Sequence, residues 1–196
     1  MISVLIDTSN RNLSVAIAKD GKLLDSTEYD AWQKQSEYLV AELDNLCKKN
    51  DINPKEIGEV IAAKGPGSYT GVRIAISVAK VMAFALNIPL YLVSSLYDMK
   101  DGEKPSICLM NARSKRSYIG VYEGEKVLVA DTIWENEAVM KFVSRHPDYS
   151  LMGDLSYLGL EGKKPNLFDN LLLANKEKYR VSNVLEAKPV YLKDLA

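Results

Sequence analysis

The stretch Lys64-Gly65-Pro66-Gly67-Ser68-Tyr69-Thr70-Gly71-Val72-Arg73, with the helix it opens, limits what this chain can fold into more than any other segment. The apolar run Val60 to Ala63 leads in and reads as a buried strand. Gly65, Pro66 and Gly67 then force a tight turn, because glycine tolerates positive φ and proline fixes its own. Ser68 and Thr70 offer side-chain oxygens to cap a helix start. No breaker follows until Asn87 and Pro89. Strand, glycine loop, helix and the strand Leu90 to Val93 make a crossover unit, and crossover units build α/β folds.

Loops of this kind often hold phosphate at a helix N-terminus, so the spacing has to be tested. A Walker loop needs lysine after its last glycine, where this chain has Val72. The dinucleotide fingerprint needs two residues between its second and third glycines, and Gly67 and Gly71 enclose three. Neither motif is present. The spacing favours glycines that let the helix pack close to a sheet.

Between Val72 and Leu86 the only charged residues are Arg73 and Lys80. At 100° per residue they share a stripe with Ser77 and Phe84, leaving an apolar arc of roughly 220°. A helix on one core needs little more than about 100°. One half of the surplus holds Ile74, Val78 and Val81, branched side chains suited to a sheet. The other half carries Ala75, Ala79 and Ala83, flanked by Val72, Ile76 and Met82, a row that lets another helix approach closely. That second helix belongs either to the same chain or to a partner.

A length of 196 residues suffices for one large domain or two small ones. The net charge of −1 argues against a free-standing nucleic-acid binder, though not against a subunit whose partner makes those contacts. No apolar run approaches the roughly 20 residues of a membrane span. No signal peptide opens the chain, and Cys47 and Cys108 lie far apart, as buried free thiols of a reducing compartment would. The expected location is the cytoplasm.

Met1 to Asp7, Leu13 to Ala18 and Leu23 to Tyr29 read as a meander with a hairpin at Asp20-Gly21. A helix over Ser36 to Lys49 turns Leu39, Val40, Leu43, Leu46 and Cys47 to one face. The order recurs in the strands Ser106 to Met110, Ser117 to Tyr122 and Lys126 to Val129, a helix from Asn136 and a strand at Ser150 to Met152. Two meander-helix-strand units suggest a duplicated architecture with its boundary in Asp98 to Pro105. Beyond Leu155 the pattern assigns little.

One histidine, His146, and two separated cysteines cannot form a zinc-type site or a catalytic triad. Asp7 reads as a turn residue or as a holder of a nucleotide-bound cation. Arg113, Lys115 and Arg116 read as a basic hairpin tip, solvated or in contact with an anion.

Ile6-Asp7-Thr8-Ser9, Gln35-Ser36-Glu37 and Gly65 to Ile74 resemble the TsaB (YeaZ) family. So do Ile88-Pro89-Leu90, Val93-Ser94-Ser95-Leu96, Asn111-Ala112-Arg113 and Pro189-Val190-Tyr191-Leu192, in family order over almost the whole chain. The resemblance implies an α/β, actin-like (ASKHA, ribonuclease H-like) fold with two related lobes, residues 1–98 carrying partner-binding helices and 99–196 forming a smaller lobe. It implies a non-catalytic, cofactor-free subunit needed to form N6-threonylcarbamoyladenosine at position 37 of tRNAs reading codons that start with adenine. The partners implied are a catalytic TsaD-type paralogue, a TsaE-type ATPase reached through the complex, and a second copy of the chain; tRNA would be met only indirectly. The paralogue binds metal through His-x-x-x-His, and the matching stretch here, Ser95-Leu96-Tyr97-Asp98-Met99, lacks both histidines. The chain also departs from the family at Gln35 for histidine, Asn111 for aspartate and Ala75 for glycine.

On this reading Gly65, Pro66, Gly67, Ser68, Thr70, Gly71 and Arg73 form the family signature loop. The partner interface is expected at Leu39, Leu43, Val72, Ala75, Ile76, Ala79, Met82 and Ala83. The alternatives are an ATP-dependent phosphotransferase of the actin-like kinase class, using Asp7 and the glycine loop, and a peptidase, for which the chain has no dyad. The interface assignment predicts that Ala79→Glu leaves the single chain folded and abolishes partner binding, read by co-purification.

Overall fold

The computed structural model describes residues 1–174 and 176–192. One sheet holds β1 (Ile2–Asp7), β2 (Asn12–Lys19), β3 (Lys22–Asp30), β4 (Ile57–Ala63) and β5 (Leu90–Val93) in the order β3-β2-β1-β4-β5. The first three form an antiparallel meander, while β4 lies parallel to β1 and β5 parallel to β4. The crossovers are α1 (Gln35–Lys49) and α2 (Tyr69–Leu86). A second sheet holds β6 (Ser106–Arg113), β7 (Arg116–Glu123), β8 (Lys126–Glu135) and β9 (Ser150–Met152) in the order β8-β7-β6-β9, with α3 (Asn136–Arg145) before β9. Again a meander is followed by a helix and a strand parallel to the first, β9 against β6. The duplicated unit is therefore physical, and the fold is the two-lobed actin-like one.

The sequence beyond Leu155 returns to the first lobe. Helices α4 (Leu167–Leu173) and α5 (Lys176–Tyr179) cover the sheet face opposite α1 and α2. That face carries a charge as well: Ser3 donates to the buried Glu59, which also takes the Lys176 ammonium. Glu59 hides the start of β4, which begins at Ile57 rather than Val60. The closing residues then run along α2. Lys80 Nζ donates to the carbonyls of Leu185 (2.7 Å) and Ala187 (3.2 Å), so its charge is tied to the chain's own tail.

The faces of α2 differ from the expected ones. Val72, Ala75, Ile76, Ala79 and Ala83 are buried in the chain's own core against β4 and β1, with α1 beside them. Leu39 and Leu43 of α1 are buried there too, and Met82 sits half-buried at the rim. The expected interface is corrected accordingly. Alanines let the helix backbone come close to the sheet, so the alanine row, with Val72 and Ile76, faces it and Ile74, Val78 and Val81 do not. The surplus apolar surface lies on the other side, where Val81 is 68% and Phe84 64% exposed. Ile74 and Val78 are half-buried between the two faces. On α1, Val40 leaves the expected buried face and is 60% exposed.

By length and composition α2 is long and apolar enough to cross a membrane, although Arg73 and Lys80 interrupt its apolar run. Its inner face is instead a core face of the first lobe. Because Ala79 has no exposed surface, Ala79→Glu is now expected to bury an unpaired charge. The isolated chain should lose about 3–5 kcal/mol of stability, read from the urea midpoint.

Candidate functional site: the signature loop and the interlobe cleft

The loop before α2 locks against the turn after β1. Ser68 caps the helix by accepting from Gly71 N (3.2 Å), and its own amide donates to the Ser9 carbonyl (2.6 Å). The Thr8 hydroxyl donates to the Gly71 carbonyl (2.7 Å). A Cβ at Gly71 would stand 1.9 Å from the Thr8 carbonyl oxygen, and one at Gly67 2.3 Å from that of Ser9. Gly65 and the cis-bonded Pro66 sit beside the hinge: the Gly65 amide donates to Ser95 Oγ (3.0 Å), and its carbonyl accepts from Ser95 N (3.0 Å). Thr70 is exposed and caps nothing. Arg73 donates to Tyr69 Oη (2.6 Å) and lies over its ring, which stacks on Tyr191 from the closing segment. The loop's residues thus fix where α2 starts and how it points.

Between the lobes lies a cleft of about 1310 Å³, walled by this loop, the turn after β1 and Asn111 to Arg113 of the second lobe. Its charges are largely paired. Arg11 meets Asp30 at 2.8 Å, Lys164 meets Glu28 at 3.2 Å, and Lys163 meets Asp101 at 2.9 Å. Gln35, in the family's histidine position, donates to the Asn10 and Arg11 carbonyls and so braces the turn. Asn111 accepts from the Arg113 amide (2.8 Å), at the base of a hairpin whose Arg113, Ser114 and Lys115 all have positive φ. Of the basic tip, Arg113 lines the cleft.

The sites that sequence left open close in the same direction. Asp7 is fully buried beneath the cleft, and its Oδ1 accepts from Ser9 N (2.6 Å), as a turn residue does. Burial pushes its carboxyl above the usual aspartate range, against the pull of that bond. His146 ends α3, its Nδ1 at 2.8 Å from the Phe142 carbonyl and its ring between Phe142 and Tyr149. Cys47 and Cys108 are free and buried. Ser95 is occupied by Gly65, Met99 is in the core, and among the described residues no three His, Cys, Asp or Glu side chains gather as metal ligands.

Sequence reasoning missed one group. Asp98, read as part of a linker, is fully buried, and neither carboxylate oxygen has a hydrogen-bond partner. Nearby, Asp131 accepts from Tyr122 Oη and Ser94 Oγ. No local pattern marks Asp98, whose burial arises where the chain passes between the lobes.

The family model described as TsaD: tRNA N6-adenosine threonylcarbamoyltransferase matches residues 29–159. The Bacillus subtilis tRNA threonylcarbamoyladenosine biosynthesis protein TsaB is 30% identical over 146 residues, 71% of this chain and 63% of that protein. The chain belongs to the TsaB (YeaZ) family. The Escherichia coli TsaB is 28% identical over 146 residues, 69% of this chain and 61% of that protein. The chain's matches thus span about 63% of the length of the Bacillus subtilis relative. YeaZ from Pseudomonas aeruginosa superposes with a TM-score of 0.78 at 23% identity, covering 97% of this chain and 99% of that one, which shows the fold.

For this family member the loop geometry makes a direct prediction. Gly71→Ala forces the Thr8 carbonyl away from α2 and should cost about 1–3 kcal/mol or more in denaturant unfolding.

Proposed function

We propose that the chain is a non-catalytic scaffold in the formation of N6-threonylcarbamoyladenosine on tRNA, docking a TsaD-type transferase through the outer face of α2 and the adjoining α1. The observation that carries this reading is the unspent apolar surface of α2. Val81 and Phe84 stand in solvent while the inner face of the same helix already fills the core. Val40 of α1 and Leu185 of the closing segment (60% exposed each) add exposed apolar side chains on elements packed against α2. Val81 and Phe84, three residues apart on one helix, share its outer face, and large aromatic anchors such as Phe84 dominate binding at protein contacts.

The TsaB name of the relatives supports the pathway, and the match to a TsaD model supports a paralogous partner of the same fold. Two such domains can pair through equivalent helices, and a second copy of this chain can use the same surface when the transferase is absent. On this reading the first lobe, residues 1–98, presents the interface, and the second, 99–196, braces it. The chain works in the cytoplasm, it meets tRNA and the TsaE-type ATPase only through the complex, and the cofactors belong to those partners. The paired charges of the cleft and the buried position of Asp7 fit a scaffold better than a phosphotransferase.

Reconstitution of tRNA modification with and without the chain is the direct test. Modification should fall to background when the chain is omitted, and an unchanged yield would overturn the proposal. Val81→Glu with Phe84→Glu should leave the melting temperature nearly unchanged, because both side chains are exposed. Transferase binding in the same double variant should weaken by about 100-fold or more, measured by calorimetry.

A further inference from the structure

The chain passes from one lobe to the other through residues 94–105, and Asp98 lies in the middle of that passage. Its backbone is held from two sides. The amide donates to the Ser94 carbonyl (3.1 Å), and the carbonyl accepts from Asn170 of α4 (2.7 Å). Its carboxyl group is held by nothing: both oxygens are buried without a donor.

The charged groups acting on that carboxyl are themselves carboxylates, Asp7 from β1 in the first lobe and Asp131 from β8 in the second. Asp131 already uses its oxygens on Tyr122 and Ser94, and Asp7 keeps one oxygen, Oδ2, without a partner. From β6, the buried Cys108 stays a thiol, its ionisation opposed first by burial and then by the charge of Asp98. The nearest lysine in sequence, Lys100, is turned away, bonding the Gly102 carbonyl (2.9 Å) and lying over the Tyr97 ring. Asp98 thus lies in the field of one acid from each lobe, with no basic group acting on it.

We propose that Asp98 is the proton-holding hinge of the molecule: uncharged, it lets the lobes close on each other, and on releasing its proton to solvent it drives them apart. A buried carboxylate with no donor beside two like charges is too costly to persist in the closed state. The neutral acid carries no such charge, and its hydroxyl needs only one acceptor. Burial, with Asp7 and Asp131 adding to it, holds the Asp98 carboxyl well above the usual aspartate range. A group that binds its proton more tightly folded than unfolded contributes less stability as pH rises from about 4 through its folded value. The junction should therefore loosen toward alkaline pH.

Asp98→Asn keeps the shape and removes the titration. The melting temperature of the natural chain should fall behind that of the variant as pH rises from 5 to 9, the gap widening by up to about 4 °C per pH unit within the titrating range. Amide protection factors over residues 94–105, measured by hydrogen exchange, should drop with pH in the natural chain and stay level in the variant. A constant gap would overturn the proposal. So would Mg²⁺ or Ca²⁺ raising the melting temperature of the natural chain alone, since the carboxylate would then be a cation ligand. If the variant does not fold, the ¹³C carboxyl signal of Asp98 in the natural chain decides. Titration in the ordinary aspartate range refutes a proton-holding hinge, and a signal still protonated at neutral pH supports it.

Discussion

Two backbone segments 63 positions apart meet so closely that neither contact point has room for a methyl group. The turn after β1 lies on the first turn of α2, and Gly67 and Gly71 are glycine because Ser9 and Thr8 occupy the space. The rest of the first lobe depends on this approach. It fixes the axis of α2 over β4 and β1, and that axis decides which stripe of the helix enters the core. It also sets one wall of the cleft, which is why the loop that looks like a phosphate cradle is filled with protein. The donors such a loop would offer an anion are partly used: the Ser68 amide goes to Ser9 and the Gly71 amide to Ser68 Oγ.

Much of this was legible in the residues themselves. Glycine, proline and cap chemistry act over a few positions, so the bounds of α2 and the hairpins at Asp20-Gly21 and Arg113 to Arg116 follow from local rules. The repeated meander is legible for the same reason. The face of α2 was not, because a helix apolar over most of its circumference leaves the choice to its neighbours. Ile74, Val78 and Val81 suit a sheet by shape, but the alanine row allows the closer approach and enters the core with Val72 and Ile76. The start of β4 was hidden by Glu59, whose partners Ser3 and Lys176 are distant in sequence. The segment after Leu155 carries little period because its elements are short: α4, whose Leu167, Phe168 and Leu171 enter the core, has only 7 residues.

The candidate sites divide along the same line. The helix surface is a statement of composition, and composition can be read. The exposed residues that carry it, Val81 and Phe84, were nonetheless assigned elsewhere, because exposure is a property of the folded whole. The buried, unpartnered carboxyl of Asp98 carries no sequence signal, because its burial is a product of the folded junction. The two features differ in kind. One is surplus apolar surface that the single chain can tolerate, and the other is surplus negative charge that it must neutralise.

The outer edge of β5 is closed by the tail of the chain, where Val181 N donates to the Leu90 carbonyl (2.9 Å) and Arg180 bridges Tyr91. During synthesis the first sheet therefore leaves the ribosome with one side open, and that side is covered only when the closing residues emerge. An open strand edge is a template for pairing with other chains. The tail is thus a guard against misassembly as well as a strut. A truncation that removes Arg180 and Val181 would uncap the very sheet on which α2 rests.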